Sequence, residues 1–259
     1  MLPEKLQIIG EGNVAYHLAK GFSLISEIQQ INILSRHRRN KDLFLSISDK
    51  VNCHDLEEFD LETPVTFIVV SDDAIPEIAE YFRNYHYFIL HTSGSTGTAI
   101  FKDLGYRNFG SFYPLQTFSL NKEVNWKEIP IFVNSNNDSN DQFIKELALQ
   151  LSDITQVVSD DQRLNIHIGA VIVNNFVNHL FSLSESWLKK NDLDFNIMMP
   201  LIRETINKIE SISPATAQTG PAMRDDKKII QRHIDALSAN PNLQNIYSMI
   251  SKSITEQYF

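Results

Sequence analysis

The chain is 259 residues long, 42% hydrophobic and 21% charged, the proportions of an ordinary globular protein with room for one large domain or two modest ones. Its 23 basic residues against 32 acidic ones leave a net charge of -9, the wrong sign for a protein that binds through phosphate contacts, so no nucleic-acid partner is expected. No run approaches ~20 consecutive apolar residues, the start MLPEKLQIIG lacks the pattern of a secretory signal, and the single Cys53 offers neither an internal disulfide nor a cysteine-based zinc site. The expectation is a cytoplasmic protein with no membrane partner and no metal.

Along the chain, β-rich runs at 6–9, 31–34, 66–70, 88–91, 109–112 and 129–133 alternate with helical patterns such as 14–24 and 75–82. Apolar strands alternating with helices predict a mostly parallel sheet covered on both faces. A polar loop is expected at 134–141, an amphipathic helix at 143–151 and a last strand at 154–158. After Ser159 the strand-like runs stop. One long helical pattern covers 160–191, interrupted only by Gly169, and further helices are expected at 199–212, 227–237 and 243–258, punctuated by Pro200, Pro214, Pro221 and Pro241. The fold class is therefore α/β: a Rossmann-like dinucleotide-binding domain over 1–155, then an all-helical substrate or dimerisation domain over 156–259.

The first strand runs into Gly10-Glu11-Gly12-Asn13-Val14-Ala15, the G-x-G-x-x-A form of the dinucleotide fingerprint, and a helix pattern follows it directly. Gly10 permits the tight turn, Gly12 lets the backbone approach a pyrophosphate, and Ala15 allows close helix–strand packing. Asn13 and Val14 open the helix whose free N–H groups face the anion. An incidental glycine turn is the plainer alternative, and the strand–loop–helix context argues against it. Where an NAD site usually carries an acid, the second strand ends Leu34-Ser35-Arg36-His37-Arg38-Arg39. Ser35 and Arg36, joined by Arg38 or Arg39, suit a ribose 2′-phosphate, which selects NADP over NAD; a solvated basic loop is the alternative.

Ligands in such sheets bind beyond the carboxyl ends of the strands. Ser71 and Asp72 follow one strand and either cap the next helix or touch the cofactor. Thr92, Ser93 and Gly94 follow another and either floor the crevice or form a plain turn. Gln116, after Tyr113 and Pro114, is the better substrate candidate on the adjoining loop. In the long helix His167, Asn174 and Asn178 share a face, and Asn175 and His179 lie beside it. Either they satisfy one another in a domain or dimer interface, or some face the crevice, with His167 as general acid or base. Gly169 suggests close packing, and the helix is apolar enough to suggest a dimer. Arg224, in Thr219-Gly220-Pro221-Ala222-Met223-Arg224, either holds an anionic substrate or partner's cofactor or pairs with Asp225 or Asp226 at the surface.

These segments, with Ser71-Asp72-Asp73-Ala74-Ile75, His91-Thr92-Ser93-Gly94-Ser95 and Tyr113-Pro114-Leu115-Gln116-Thr117-Phe118 in the same order, resemble one family over almost the whole chain. It is the family of bacterial proteins that join a Rossmann-like domain to a helical domain of unknown function, often described as similar to deazaflavin-dependent NADP oxidoreductases. Ketopantoate reductase, pyrroline-5-carboxylate reductase and the 3-hydroxyacid dehydrogenases are wider relatives. The resemblance implies NADP, hydride transfer to or from a small molecule (carbonyl, imine or deazaflavin) and a homodimer packed through its helical domains. One departure concerns the helix that presents Lys-x-x-x-Asn in several of those relatives: the corresponding residues here are Val171 and Asn175. Valine transfers no proton, so Asn175 is left to bind a substrate oxygen and the acid must come from elsewhere, with His167 the candidate. A non-catalytic NADP-binding sensor is the alternative that the missing lysine favours.

Overall fold

Leu6, Ile8 and Ile9 lie side by side in the first strand yet are all buried, because they face opposite sides of the sheet and both sides are covered by helices. The computed structural model describes residues 2–37 and 39–259, so Arg38 lies outside the described residues. The chain divides into two compact units, Met1–Val173 and Asn174–Phe259.

The first unit is built on strands β1 (Lys5–Ile9), β2 (Gln30–Ser35), β3 (Val51–Asp55), β4 (Val65–Ile68), β5 (Phe88–His91), β6 (Asn108–Pro114), β7 (Ile131–Ser135) and β8 (Thr155–Val157). They form one eight-stranded sheet in the order β3-β2-β1-β4-β5-β6-β7-β8. Every pairing is parallel except β6 with β7, which reverses the last two strands. The first six strands have the 3-2-1-4-5-6 order of a doubly wound dinucleotide fold. Helices α1 (Asn13–Ser23), α2 (Lys41–Leu45), α3 (Ile75–Tyr81), α4 (Ala99–Asp103) and α5 (Asp138–Leu151) cover it. One core packs Leu18 and Phe22 of α1 and Ile144 and Leu147 of α5 on Ile8, Ile33 and Phe67. On the opposite face Ile75 and Ile78 of α3 and Phe101 of α4 pack on Ile9, Ile68 and Ile89.

The predicted strands and helices are present with shifted ends, and the strand β3 and the short helices α2, α4 and α9 are additions. β3 gave no signal in the sequence because only Val51 of its five residues is buried, and the short α2 precedes it. Most of the expected polar loop at 134–141 is structured: β7 runs to Ser135, and α5 begins at Asp138 with Asn137 accepting the Asn140 N–H.

Helix α6 (Asp160–Ala170) starts with a capping box of Ser159 and Gln162. A π-helical turn (Val171–Phe176) and α7 (Val177–Lys190) continue it. Within the 31-residue span Asp160–Lys190 an 18-residue window has a mean hydropathy of 1.3, so by length and composition this one helix could cross a membrane. Polar Asn, Ser and His residues interrupt the apolar ones, which is why no unbroken apolar run appears in the sequence. Gly169 needs no close neighbour: a Cβ there would meet nothing within 4 Å among the described residues, so these show none of the packing inferred from it. In the second unit, α7 is followed by α8 (Met199–Ser211), α9 (Pro214–Ala217), α10 (Lys227–Ala236) and α11 (Pro241–Tyr258). The Tyr258 hydroxyl donates to the Ala215 carbonyl, and Thr255 donates to that of Ala222.

Candidate active site

A groove of about 770 Å³ crosses the carboxyl ends of β1, β2, β4, β5 and β6 in the first unit, the size range of a cofactor site. Gly10 sits at φ 131°, in the region that favours glycine, and a Cβ there would lie 2.0 Å from the Val69 carbonyl oxygen. Its N–H donates to the Leu34 carbonyl at 2.9 Å, which clamps the loop to the end of β2. Gly12 is the N-cap of α1 and provides no side-chain cap, so the first N–H groups of this 11-residue helix are uncapped by it. A Cβ on Gly12 would meet nothing within 4 Å: that space belongs to the groove. Val14 lines the groove beside Asn13, whose amide reaches away to donate to the Phe118 carbonyl at 2.9 Å. Ala15 is fully buried under the loop.

At the β2 end, Ser35 and Arg36 line the groove, and the Arg36 guanidinium is paired with Glu77 of α3. Ser35 donates to the Glu11 carboxylate at 3.3 Å. Ser71 caps no helix through its side chain, so the capping alternative fails for it. Asp72 instead accepts from Ser95, tying the loop after β4 to the loop after β5.

That second loop is held by its own hydroxyls. Ser93 Oγ accepts the N–H groups of Ser95 (3.1 Å) and Thr96 (2.9 Å), and the Ser93 N–H donates to Nδ1 of His91 at 3.2 Å. Burial, reinforced by the Arg163 charge, pushes the His91 imidazole down to about 3, so it is neutral at physiological pH and Nδ1 remains an acceptor. Thr92, Ser93 and Gly94 all face the groove.

His167, on α6, comes down onto this loop. A Cβ on Gly94 would lie 2.6 Å from His167 Nδ1, so only glycine lets the imidazole approach so closely. Nδ1 is 3.0 Å from the hydroxyl of Tyr113, at the end of β6, with the two rings edge-on at 5.8 Å. Burial pushes the Tyr113 hydroxyl up from its ordinary value, so it keeps its proton at neutral pH. Both residues line the groove, as does Gln116, which is exposed and accepts the Thr117 N–H at 2.8 Å.

One turn before His167, the fully buried Arg163 anchors α6. Its Nη1 donates to Ser111 Oγ, Asn134 Oδ1 and Asp160 Oδ1, each at 2.7 Å, and its Nη2 donates to the Thr96 carbonyl. Asp160 also accepts from the Thr98 N–H and hydroxyl at 2.7 and 3.0 Å. Although burial works the other way, the Thr98 N–H, Asn134 and Arg163 together hold the Asp160 carboxyl below its usual range. Sequence reasoning missed Tyr113 and Arg163. Tyrosine is ordinary in a strand, and Arg163 in Asp160-Asp161-Gln162-Arg163 has the spacing of a solvated helix pair.

Asn175, Asn178 and Arg224 belong to the second unit and are exposed. Arg224 ends a 3₁₀ turn, next to an Asp225–Lys227 ion pair at 3.3 Å, and Asp226 caps α10. Among the described residues no group of three or more His, Cys, Asp or Glu side chains is arranged to hold a metal.

No curated protein matches the chain. Residues 129–254 match a domain of unknown function, DUF2520. A candidate NADP oxidoreductase from Bacteroides fragilis is 32% identical, with a TM-score of 0.87 over 97% of this chain and 98% of that one. A Thermotoga maritima protein of 21% identity has a TM-score of 0.73 over 98% of each chain. An imine reductase from Myxococcus stipitatus, solved with NADP+, shares the fold at 12% identity, with a TM-score of 0.66 over 97% of this chain and 92% of that one. The chain belongs to the family of Rossmann-like NADP oxidoreductases whose helical C-terminal region is of the DUF2520 type.

Proposed function

We propose that the protein transfers a hydride between NADP(H) and a small molecule with a C=N or C=O bond. One observation carries this reading: a single groove leads from the glycine loop, with its open space at Gly12, to the Tyr113–His167 pair. The residues fit the cofactor. The α1 N-terminus would take the pyrophosphate, Ser35 and Arg36 the ribose end, and the backbone around Ser71, Asp72, Thr92, Ser93 and Gly94 the path toward the nicotinamide. When bound, the nicotinamide supplies or accepts the hydride.

The chain's own residues manage the proton. Tyr113 donates its O–H proton to the substrate nitrogen or oxygen, and His167 returns one to the tyrosyl oxygen through Nδ1–H while its Nε2 takes up a proton from solvent. Gln116, which lines the same groove, would contact the rest of the substrate. Val171 in place of a lysine disfavours hydroxyacid chemistry and favours an imine, in keeping with the imine reductase that shares the fold. The Tyr113–His167 pair gives a purely sensory role no purpose for its proton-transfer geometry.

The cofactor assignment is tested by calorimetry. NADPH is expected to bind the wild type, and Arg36→Ala should weaken it by about tenfold while leaving NADH nearly unchanged. The charge-assisted bond to the 2′-phosphate outweighs the exposed Arg36–Glu77 pair that it replaces. Equal losses for both cofactors would remove the argument.

The proposal includes a cytoplasmic homodimer. Phe176, Ile197, Leu201 and Met249 in the second unit are more than half exposed, more apolar surface than a lone helical unit normally shows. Sedimentation equilibrium at low micromolar concentration should give twice the chain mass; a monomer would overturn the dimer.

A further inference from the structure

The acid that usually selects NAD is missing from the end of β2, but a carboxylate reaches the same place from another segment. Glu11 stands between the two glycines of the loop. Its Oε2 accepts from Ser35 Oγ and from the Asn40 N–H, both at 3.3 Å, while the Asn40 side-chain amide donates to the Glu11 carbonyl at 2.9 Å. The side chain is half-buried, fastened across the end of β2, and lines the groove with Ser35 and Arg36. On the other side Glu77 holds the Arg36 guanidinium. The ribose end of the groove thus presents the Glu11 carboxylate at Ser35 and the Arg36 guanidinium already held by Glu77.

A 2′-phosphate carries nearly two negative charges and accepts hydrogen bonds; a ribose 2′-hydroxyl carries none and can donate one. Placed at Ser35, the phosphate meets the Glu11 carboxylate as a like charge, whereas the hydroxyl meets an acceptor. We propose that Glu11 is the specificity-determining residue of this site. It takes the part of the absent β2 acid and opposes the attraction of Arg36 for the phosphate, so that the protein accepts NAD(H) as well as NADP(H). The inference rests on the reading of the groove as a nicotinamide-dinucleotide site.

The test measures dissociation constants for NADPH and NADH on the wild type, Glu11→Gln and Glu11→Ser. Glutamine keeps an oxygen for the Asn40 N–H and removes the charge. NADPH is expected to bind Glu11→Gln about tenfold more tightly, a change of 1.4 kcal/mol, and NADH severalfold more weakly. Glu11→Ser should shift the ratio in the same direction. The NADPH gain should shrink as salt is raised, because it comes from removing a like charge. An unchanged NADPH-to-NADH ratio in both variants, or equal weakening of both cofactors, overturns the proposal and reduces Glu11 to a support for the loop. A wild type that binds neither cofactor overturns the dinucleotide reading itself, an outcome distinct from binding with an unchanged ratio.

Discussion

Gly12→Val is expected to abolish NADPH binding in a protein that melts within a few degrees of the wild type, whereas Gly10→Ala should destabilise the fold by roughly 3–5 kcal/mol. The two glycines sit two residues apart and answer to different constraints. Gly12 has φ -83° and ψ -177°, backbone angles open to any residue, and a Cβ would enter empty groove space. Valine is a poorer N-cap than glycine by about 1 kcal/mol, which corresponds to a few degrees in Tm. Its branches would occupy the volume that a pyrophosphate needs. Gly10 combines φ 131° with a carbonyl oxygen 2.0 Å from where its Cβ would be. Backbone strain of about 1–3 kcal/mol adds to a comparable cost of steric displacement. Thermal melts and calorimetry on both variants check the pair. A Gly12→Val protein that binds NADPH normally would show that the loop cradles no phosphate.

Tyr113→Phe is expected to lower turnover by ~10²-fold or more on any imine or carbonyl substrate that the wild type reduces, with NADPH affinity unchanged. His167→Asn should fall by a similar factor, and the double variant should be little slower than either single one, the outcome expected of the proposed relay. Phenylalanine preserves the ring that packs edge-on against His167, so a fall in Tm without a fall in turnover per folded molecule would make the pair structural. Additive losses would separate the two residues and break the relay.

Much of the first unit is legible in the sequence because its strands are apolar on both faces and its longer helices are amphipathic, with α5 and α6 also capped by Asn137 and Ser159. The glycine loop is legible because its chemistry is local: strand, turn and helix fall within ten residues. Three features are not. Val51–Asp55 pairs at the sheet edge, where only one side chain needs to be buried, so no periodicity marks it. The reversal at β7 depends on the 115–130 connection lacking a crossover helix, which composition does not reveal. The third is the site itself. Tyr113 meets His167 across 54 residues, and Glu11 meets Ser35 across 24, so each pair exists only once the parallel strands have aligned their ends. Sequence reasoning found His167 and Ser35 singly and had no means of pairing them.

The Arg163 network has a consequence for how the protein comes apart in time. Its bonds join segments separated by 29, 52 and 67 residues, and they can close only after β5, β6 and β7 have assembled. Contacts of that range that close after the folding barrier weigh on the rate of leaving the native state rather than on the rate of reaching it, and the Arg163 network is expected to be of this kind. Loss of the guanidinium would register in the unfolding limb of a chevron and leave the refolding limb nearly in place. Removing one partner of a buried ion cluster costs about 3–5 kcal/mol, and with refolding unchanged all of that loss falls on the lifetime of the folded chain.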